Sequence, residues 1–331
     1  MAFKKIALTG VKPTGTPHIG NYFGAIKPAI DLSNNEDLDC YYFIADYHAL
    51  NFIKSKEELQ QFTKEIACTW LACGLDPNKI VLYKQSLVPE VTELNWLLCN
   101  VTSKGLMNRA HAYKALVEKS LANNDDPDAL VNMGLYNYPI LMAADILLFN
   151  TKYVPVGADQ KQHVEMARDI AKAFNKRYGN TLVVPSELIQ ENNANIVGLD
   201  GRKMSKSYGN IIPLFASEEE LKKLISRIQT DSSLPEEPKS TDCSLFTLYK
   251  LFSTSEEQEL MAKRYKEGIS WADAKKELFE KANSYLKPMR DKYNYYMQNY
   301  HLVGKILEDG SNRAREIAKQ TIKRVREAIG L

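Results

Sequence analysis

The start of the chain constrains the fold more than any other feature of the sequence. Residues 5–9 form a short, mainly aliphatic run, which predicts a buried β-strand. Gly10 and Gly15 then lie in a turn-forming segment at 10–17, and a helix is expected from about residue 18 to residue 29. A strand, a glycine-containing loop and a helix in this order open a nucleotide-binding α/β unit, so we expect a parallel sheet.

The next 190 residues or so continue this alternation. Further strands are predicted at 40–45, 80–83 and 154–156, and helices at 56–73 and about 157–178. Strands that alternate with helices favour an α/β fold. Asp46 and His48 directly follow the strand at 40–45. Because ligands bind at the carboxyl ends of parallel strands, both side chains are expected near a site.

The last third of the chain differs in charge and in periodicity. From about residue 216 the apolar spacing is helical, and residues 261–331 carry 16 Lys and Arg against 9 Asp and Glu. The whole chain has a net charge of only +2, so the positive charge is concentrated there. A basic region fits a polyanionic partner such as RNA, and it equally fits the solvated faces of amphipathic helices.

Several classes of protein are disfavoured by composition. The chain has no run of about 20 apolar residues that could span a membrane and no signal-peptide pattern, so the cytoplasm is the expected location. Its five cysteines are scattered without a C-x-x-C pair, which predicts free thiols rather than disulfides or a zinc site. We therefore expect no resident metal and no membrane partner.

A first motif, Pro17-His18-Ile19-Gly20-Asn21, stands at the predicted start of the first helix. A helix N-terminus offers free N–H groups to phosphate, and Gly20 permits a nucleotide to approach closely. His18 can donate to a phosphate oxygen on which charge develops in a transition state. A histidine that only caps the helix is the simpler alternative.

A second motif, Lys203-Met204-Ser205-Lys206-Ser207, follows Gly201 in a loop. Lysine is a flexible point charge, so two lysines on such a loop can move onto a triphosphate and follow leaving pyrophosphate. An ordinary exposed basic loop is the alternative.

Together, the two motifs resemble the HIGH and KMSKS signatures of class I aminoacyl-tRNA synthetases. The segments 138–148 and 154–163 are similar to the tryptophan-pocket segments of the tryptophanyl-tRNA synthetases within that class. The resemblance covers essentially the whole chain and is densest between residues 6 and 207. It implies activation of L-tryptophan with ATP and Mg²⁺, transfer to tRNA(Trp), and a homodimer.

The resemblance also implies roles for single residues. Catalysis is expected from His18, Lys203 and Lys206. ATP is expected to contact Lys12, Pro13, Thr14, Gly20, Asn21, Gly157, Ala158, Asp159, Ile196, Lys203, Met204, Ser205, Lys206 and Ser207. Tryptophan is expected to contact Leu8, His48, Tyr138, Met142, Asp145 and Gln160.

Asp145 is the residue on which the choice of amino acid depends. It is one carboxylate in an otherwise apolar run, and a buried carboxylate needs a partner. An indole N–H is only a donor, so an acceptor-only carboxylate matches it, and phenylalanine would leave the carboxylate unpaired. An internal salt bridge or a helix cap is the alternative for Asp145, and core packing is the alternative for Met142 and Leu8.

The predicted architecture is a Rossmann-type catalytic domain at 1–215 and an all-helical anticodon-binding domain at 216–302, with a C-terminal helix at 303–331 that packs back on the catalytic domain. In the helical region Tyr285, Tyr293, Tyr295, Tyr296 and Tyr300 stand among basic residues and could stack on unpaired bases, or could pack inward.

Three other functions remain open at this stage. A tyrosyl-tRNA synthetase shares the fold and both signatures, but needs a site for a phenol hydroxyl. An adenylyltransferase of the same superfamily needs no basic helical region. A non-catalytic paralogue that binds tryptophan or RNA would not need His18 and the lysines of the second motif, all of which this chain retains.

Overall fold

A five-stranded parallel sheet forms the centre of the protein, as the computed structural model shows for residues 4–157, 160–189 and 196–331. The strand order is β3-β2-β1-β4-β5. The strands are β1 (Lys5–Val11), β2 (Leu38–Ile44), β3 (Val81–Lys84), β4 (Tyr153–Val156) and β5 (Ser186–Ile189). The predicted α/β fold with a parallel sheet is therefore confirmed. The edge strand β5 was not predicted from the sequence, because it is short and begins with polar residues.

Helices connect the strands and continue beyond them. The first helical segment consists of α1 (Ile19–Asn21), a π-helical turn at Tyr22–Ile26, and α2 (Lys27–Leu32). The others within the sheet region are α3 (Asp46–Ala49), α4 (Lys56–Ala72), α5 (Glu90–Cys99), α6 (Lys104–Met107), α7 (His111–Ala122), α8 (Met133–Leu148) and α9 (Lys161–Tyr178). After the sheet follow α10 (Glu218–Ser226), α11 (Ser244–Lys250), α12 (Ser255–Glu267), α13 (Trp271–Gln298) and α14 (Tyr300–Ile329).

None of the helices in the described ranges is long and apolar enough to cross a membrane. The five cysteines are free thiols, as predicted.

A side-chain cap fixes where α8, the helix that carries Asp145, begins. Asn132 precedes α8 in an extended conformation, and its Oδ1 accepts the N–H of Leu135 at 2.8 Å. Such a cap satisfies a backbone donor that the helix itself leaves free. The helix continues through Pro139 and carries Asp145 in its buried last turns. The cap thus fixes the first turn of the helix that carries Asp145.

The two faces of the sheet support two apolar clusters. Side chains alternate along β1, so that Ala7 joins the cluster on one face and Leu8 joins the cluster on the other. The cluster around Ala7 continues through α4 into α10 to α13 and reaches Leu307 on α14. The cluster around Leu8 includes α5, α8 and α9. The division of the chain at residue 215 stays a prediction, because the first cluster runs across it.

The last helix, α14, lies against β3 at a point where only glycine fits. A Cβ on Gly310 would lie 1.8 Å from the carbonyl oxygen of Leu82. Next to it, the hydroxyl of Ser311 accepts the N–H of Lys84 at 3.4 Å. Arg315 also forms a bidentate ion pair with Glu90 on α5. Backbone contact and ion pair together hold α14 on the sheet region.

The strand order determines where a ligand can enter. β1 pairs with β2 on one side and with β4 on the other. From β1 the chain first builds the sheet outward through β2 and β3 and then returns to the other side of β1 with β4 and β5, so the strand order reverses at β1. A crevice forms at the carboxyl ends of strands where the order reverses in this way. The loop after β1 and Gly157, which directly follows β4, lie at these carboxyl ends.

Candidate active site

His18 is the N-cap of α1 and has a defined tautomer. Its Nδ1 accepts the N–H of Asn21 at 3.3 Å, while the Oδ1 of Asn21 accepts the N–H of His18 at 3.1 Å. Because Nδ1 is an acceptor, the ring proton of the neutral imidazole lies on Nε2. Burial, together with the positive charge of Lys206, lowers the pKa of His18 to about 4. At neutral pH the ring is therefore an uncharged N–H donor. His18 can cap the helix through Nδ1 and at the same time donate to a ligand through Nε2.

Gly20 allows the backbone to pass close to this ring. A Cβ at residue 20 would lie 2.9 Å from the Nδ1 of His18, a distance that real Cβ atoms do not adopt. The glycine of the first motif is therefore required by the position of the histidine, apart from any contact with a nucleotide.

The second motif lies beside the loop after β1. The Nζ of Lys206 donates to the carbonyl oxygen of Thr14 at 3.1 Å, and burial lowers the pKa of this ammonium group. Met204 is buried, and its N–H donates to the carbonyl oxygen of Ile196 at 2.8 Å. Lys203 and Ser207 are exposed. The structure thus brings Lys206 to the first motif and leaves Lys203 at the surface of the same loop.

Asn210, which no sequence pattern indicated, fixes the conformation of this loop. Its buried carboxamide accepts the N–H of Ser205 at 2.8 Å and donates to the carbonyl oxygen of Lys203 at 3.1 Å. It also donates to the Oδ1 of Asp200 at 2.7 Å. Both halves of the amide are used, so the loop has a defined resting position.

A cavity of about 310 Å³ separates the two motifs. It is lined by Val11, Lys12, Thr14, Gly15, Pro17, His18, Asn21, Ala25, Ile26, Ile66, Ser205 and Lys206. Of the other residues expected to contact ATP, Pro13 is buried in the loop after β1, and Gly157 follows β4. Ala158 and Asp159 lie outside the described residues. We refer to this space as the phosphate cavity.

A second cavity, of about 410 Å³, opens between β1, β2 and α8. Its lining includes the six residues expected to contact tryptophan: Leu8, His48, Tyr138, Met142, Asp145 and Gln160. Phe43, Ala45, Ile146 and Val154 add apolar walls. Lys12 lines this cavity as well as the phosphate cavity. We refer to the second space as the amino-acid cavity.

Asp145 is the buried acceptor of the amino-acid cavity, with 2% of its surface exposed. The Nε2 of His48 lies 2.9 Å from its Oδ2, and the Nε2 of Gln85 lies 2.8 and 2.9 Å from its two oxygens. Burial raises the pKa of Asp145, and the hydrogen bonds from His48 and Gln85 oppose that rise. The alternative considered from the sequence, an internal partner for Asp145, is therefore met by His48 and Gln85. The carboxylate nevertheless also lines the cavity.

Tyr138 is held by a partner within the same cavity. Its hydroxyl lies 2.8 Å from the Nε2 of His163, and burial raises the pKa of the phenol to about 12. The contact holds the ring in the wall of the cavity, because both residues line it. His163 was not singled out from the sequence, although it ends the segment 154–163 that carries part of the resemblance.

The tyrosines of the helical region are mostly not available for stacking on bases. The hydroxyl of Tyr285 lies 3.0 Å from that of Tyr22, and Tyr293 stacks on Phe215 with 4.1 Å between ring centroids. Tyr295 remains 53% exposed. For Tyr285 and Tyr293 the inward-packing alternative is therefore correct, because helical periodicity alone does not show which face is solvated.

Within the described residues, no group of three or more His, Cys, Asp or Glu side chains could hold a metal ion.

Comparisons with known proteins agree with this geometry. A family model described as class I tRNA synthetases (W and Y) matches residues 4–287. The tryptophan–tRNA ligase of Neisseria meningitidis serogroup A is 49% identical over 330 residues, which are 99% of this chain and 98% of the relative. That of Xylella fastidiosa is 51% identical over 327 residues, which are 98% of this chain and 75% of the relative.

Among solved structures, the tryptophanyl-tRNA synthetase of Campylobacter jejuni complexed with ADP and tryptophan superposes with a TM-score of 0.90 and 43% identity. The match covers 98% of this chain and 100% of that chain. The similarity therefore includes both cavities and the helices that follow the sheet.

Proposed function

This chain belongs to the tryptophanyl-tRNA synthetases of class I, and we propose that its two adjoining cavities hold tryptophan and ATP side by side. The enzyme is a tryptophan–tRNA ligase. A carboxylate oxygen of tryptophan attacks the α-phosphorus of ATP, the bond to the bridging oxygen breaks, and pyrophosphate leaves. The tryptophanyl group of the adenylate is then transferred to tRNA(Trp), and AMP leaves. A tyrosyl enzyme is disfavoured, since relatives about half identical are tryptophan–tRNA ligases.

The observation that carries the placement of the substrates is the position of Lys12. Lys12 lines both cavities, which supports the proposal that it binds where the amino-acid carboxylate approaches the α-phosphate. Two anionic groups repel each other on approach, and a cation between them offsets that repulsion. Burial lowers the pKa of Lys12, whereas a bound carboxylate and phosphate would favour its charged form.

Charge on the phosphates is met by two groups of different kinds. The neutral His18 offers Nε2–H at the phosphate cavity, and Lys206 offers a mobile positive charge from the facing loop. Donors aimed at the oxygens on which charge develops stabilise the transition state more than the ground state. Mg²⁺ is proposed to enter with ATP, because this ion is commonly held by phosphate oxygens and water together with few protein groups.

Selection of the amino acid is assigned to Asp145. The apolar walls of the amino-acid cavity fit an aromatic side chain, and Asp145 offers an acceptor within that apolar space. Tryptophan supplies the matching N–H donor, while phenylalanine supplies none and leaves the buried carboxylate short of a partner.

The test of the proposed reaction is amino-acid-dependent exchange of pyrophosphate into ATP, measured with tryptophan, tyrosine and phenylalanine. We expect exchange with tryptophan alone. Exchange with tyrosine would keep the class of enzyme and overturn the substrate. If none of the three supports exchange, even after tRNA is added, the proposed activity is wrong.

We further propose that residues 216–302 bind the anticodon region of tRNA(Trp), in the cytoplasm where tRNA is charged. Exposed Lys287 and Lys292 on α13 and the 53% exposed Tyr295 offer charge and a stacking surface on one helix. The double variant Lys287→Glu/Lys292→Glu should raise the KM for tRNA in aminoacylation and leave pyrophosphate exchange unchanged. A change in exchange alone would contradict this assignment.

A homodimer is the assembly that we propose from the surface near the amino-acid cavity. Leu50, Trp96 and Met133 are 56%, 69% and 68% exposed. Leu50 and Met133 line a groove of about 340 Å³, and Tyr138 lines both this groove and the amino-acid cavity. Trp96 directly follows Asn95, another lining residue of this groove. Large apolar side chains exposed at a surface mark an interaction site, and a second copy of the chain is the proposed occupant.

Sedimentation equilibrium tests this assembly. The wild type should have twice the mass of the chain, and Trp96→Glu should shift it toward the monomer. Leu260→Glu is a matched control, because Leu260 is 61% exposed on α12, away from this groove. A monomeric wild type would contradict the proposal.

A further inference from the structure

Gln85 is a buried polar residue that borders neither of the two cavities. It directly follows β3, and 1% of its surface is exposed. Its Nε2 donates to both oxygens of Asp145, at 2.8 and 2.9 Å. A fully buried side-chain amide is costly to desolvate, and here one N–H is shared between the two oxygens of a single carboxylate. Its contact with Asp145 therefore calls for a role beyond packing.

The orientation of this amide is enforced by the backbone. The Oε1 of Gln85 accepts the N–H of Tyr47 at 3.1 Å. A flipped amide would place two donors against each other at Tyr47 and two acceptors against each other at Asp145. The adjacent Ser86 binds Asp46 through its N–H at 3.0 Å and its hydroxyl at 2.5 Å, which anchors the same turn to α3. Gln85 can therefore present only its donor side to Asp145.

The hydrogen bonds around Asp145 leave room for a ligand on one oxygen. One N–H of Gln85 is shared between Oδ1 and Oδ2, because both oxygens lie within 2.9 Å of the same nitrogen. Oδ2 also accepts from His48. Oδ1 has no second donor among the described residues, and it belongs to a residue that lines the amino-acid cavity. It is suited to one N–H donor, provided that Asp145 stays ionised, since a protonated carboxyl would oppose that donor.

We propose that Gln85 is a positioning residue which orients Asp145 and keeps it ionised as the acceptor of a single indole N–H, and thereby determines specificity for tryptophan. This role rests on the proposed function of Asp145. Gln85 acts through the carboxylate and does not touch the substrate. Removal of its N–H donors should therefore lower the preference for a ligand with an indole N–H more than it lowers the affinity for the aromatic ring.

The groups around Asp145 also fix the sign of a pH dependence. Burial raises the pKa of Asp145, and the donors His48 and Gln85 counter this, whereas the negative charge of Asp46 adds to it. Tyr83 faces the carboxylate from β3, and burial and Asp145 raise the pKa of its phenol well above the usual value, so it stays neutral. Without Gln85, the pKa of Asp145 rises further. Discrimination should then be lost as pH falls, and the loss should begin at a higher pH than in the wild type.

The experiment compares equilibrium affinities for tryptophan and for its analogue in which sulfur replaces the indole N–H, between pH 6 and 8.5. In Gln85→Met the ratio of the two affinities should fall about tenfold, as expected for loss of a hydrogen bond to a charged group. Gln85→Asn keeps an amide that is too short to reach both partners, and it should show a smaller fall in the same direction. This milder variant gives the answer if Gln85→Met does not fold.

Two further variants separate the possible failures. Ser86→Ala removes a hydroxyl from the same turn but not from Asp145, so its ratio should match the wild type. If the Gln85 variants keep the wild-type ratio while Asp145→Asn loses it, or if they weaken both ligands equally, the role of Gln85 is overturned and the role of Asp145 survives. If Asp145→Asn also keeps the ratio, the indole contact itself is wrong and both proposals fall.

Discussion

The two adjoining cavities differ in how their functional groups are held. The phosphate cavity takes its polar groups from the loop after β1, from the start of α1 and from the loop that carries Lys206, and Lys206 reaches across to Thr14 by a single hydrogen bond. The amino-acid cavity takes Asp145 from a buried helix and surrounds it with two donors from other elements. In the phosphate cavity, a positive charge must move with the pyrophosphate group as it leaves. In the amino-acid cavity, one acceptor must stay in a fixed position to accept the indole N–H. The same fold therefore combines one ammonium group held by a single hydrogen bond, on Lys206, with one carboxylate held by two donors, on Asp145.

The largest expected effect comes from Asp145→Asn in the amino-acid cavity. The amide would turn a donor toward the donors of His48 and Gln85, so kcat/KM for tryptophan in pyrophosphate exchange should fall about a thousandfold, the scale of breaking a buried charge contact. The KM for ATP should stay close to the wild-type value. A comparable rise in the KM for ATP would show that the two cavities are not separable.

Loss of the neutral donor His18 should have the next largest effect, and it should fall on kcat. His18→Ala removes one transition-state donor, for which about a hundredfold is the expected loss. Binding of tryptophan without ATP should be unchanged. His18→Asn is the control for folding, because asparagine can also cap a helix; it should restore stability without restoring the rate.

The lowered pKa of His18 adds a second readout to this prediction. With a pKa of about 4, the ring is neutral in the native enzyme across the range of about 5.5–8, so exchange should show no step from His18 near pH 6.5. In the unfolded chain the ring binds a proton below about 6.5. Folding stability should thus fall as pH drops from that value toward 4. A rate that declines as pH rises through about 6.5, and is insensitive in His18→Asn, would identify a cationic His18 instead.

A smaller effect is expected when the contact between α14 and β3 is disrupted. It should lower the stability of the whole fold and should not distinguish between the two cavities. A Cβ at Gly310 would overlap the carbonyl oxygen of Leu82, so Gly310→Ala should lower the free energy of unfolding by about 2 kcal/mol. Gly304→Ala on the same helix meets no atom within 4 Å and should be neutral or slightly stabilising. Thermal denaturation checks both. A loss of stability in Gly304→Ala as large as in Gly310→Ala would remove the steric explanation.

The smallest effect is predicted for Lys12, which borders both cavities. Lys12→Gln keeps a polar side chain and loses the charge, so kcat/KM for exchange should fall about tenfold. The apparent affinities for both substrates should decline together. A decline for ATP alone would assign Lys12 to the phosphate cavity only.

The difference between the two cavities also explains which of their residues could be predicted from the sequence. Five of the residues that line the phosphate cavity lie in two contiguous motifs, and the order and spacing of these motifs already indicated that His18 and the loop of Lys206 act together. Asn210 could not be recognised in this way, because a single asparagine after a loop has many uses, and only its three hydrogen bonds reveal its role.

The amino-acid cavity was accessible from sequence mainly through resemblance. Leu8, His48 and Asp145 lie far apart along the chain and come together only when the sheet and α8 are assembled. Gln85 could have been suspected from its place after β3, at the carboxyl end of a parallel strand. Nothing local distinguishes its amide from a solvated one, and burial is a property of the fold.

The separation of the two cavities is tested most directly by calorimetric titration of two variants with each ligand alone. Asp145→Asn should lose affinity for tryptophan and keep its affinity for a non-hydrolysable ATP analogue, and Lys206→Ala should show the reverse. If either variant loses both ligands to a similar extent, the cavities form one coupled site and their proposed separation is contradicted.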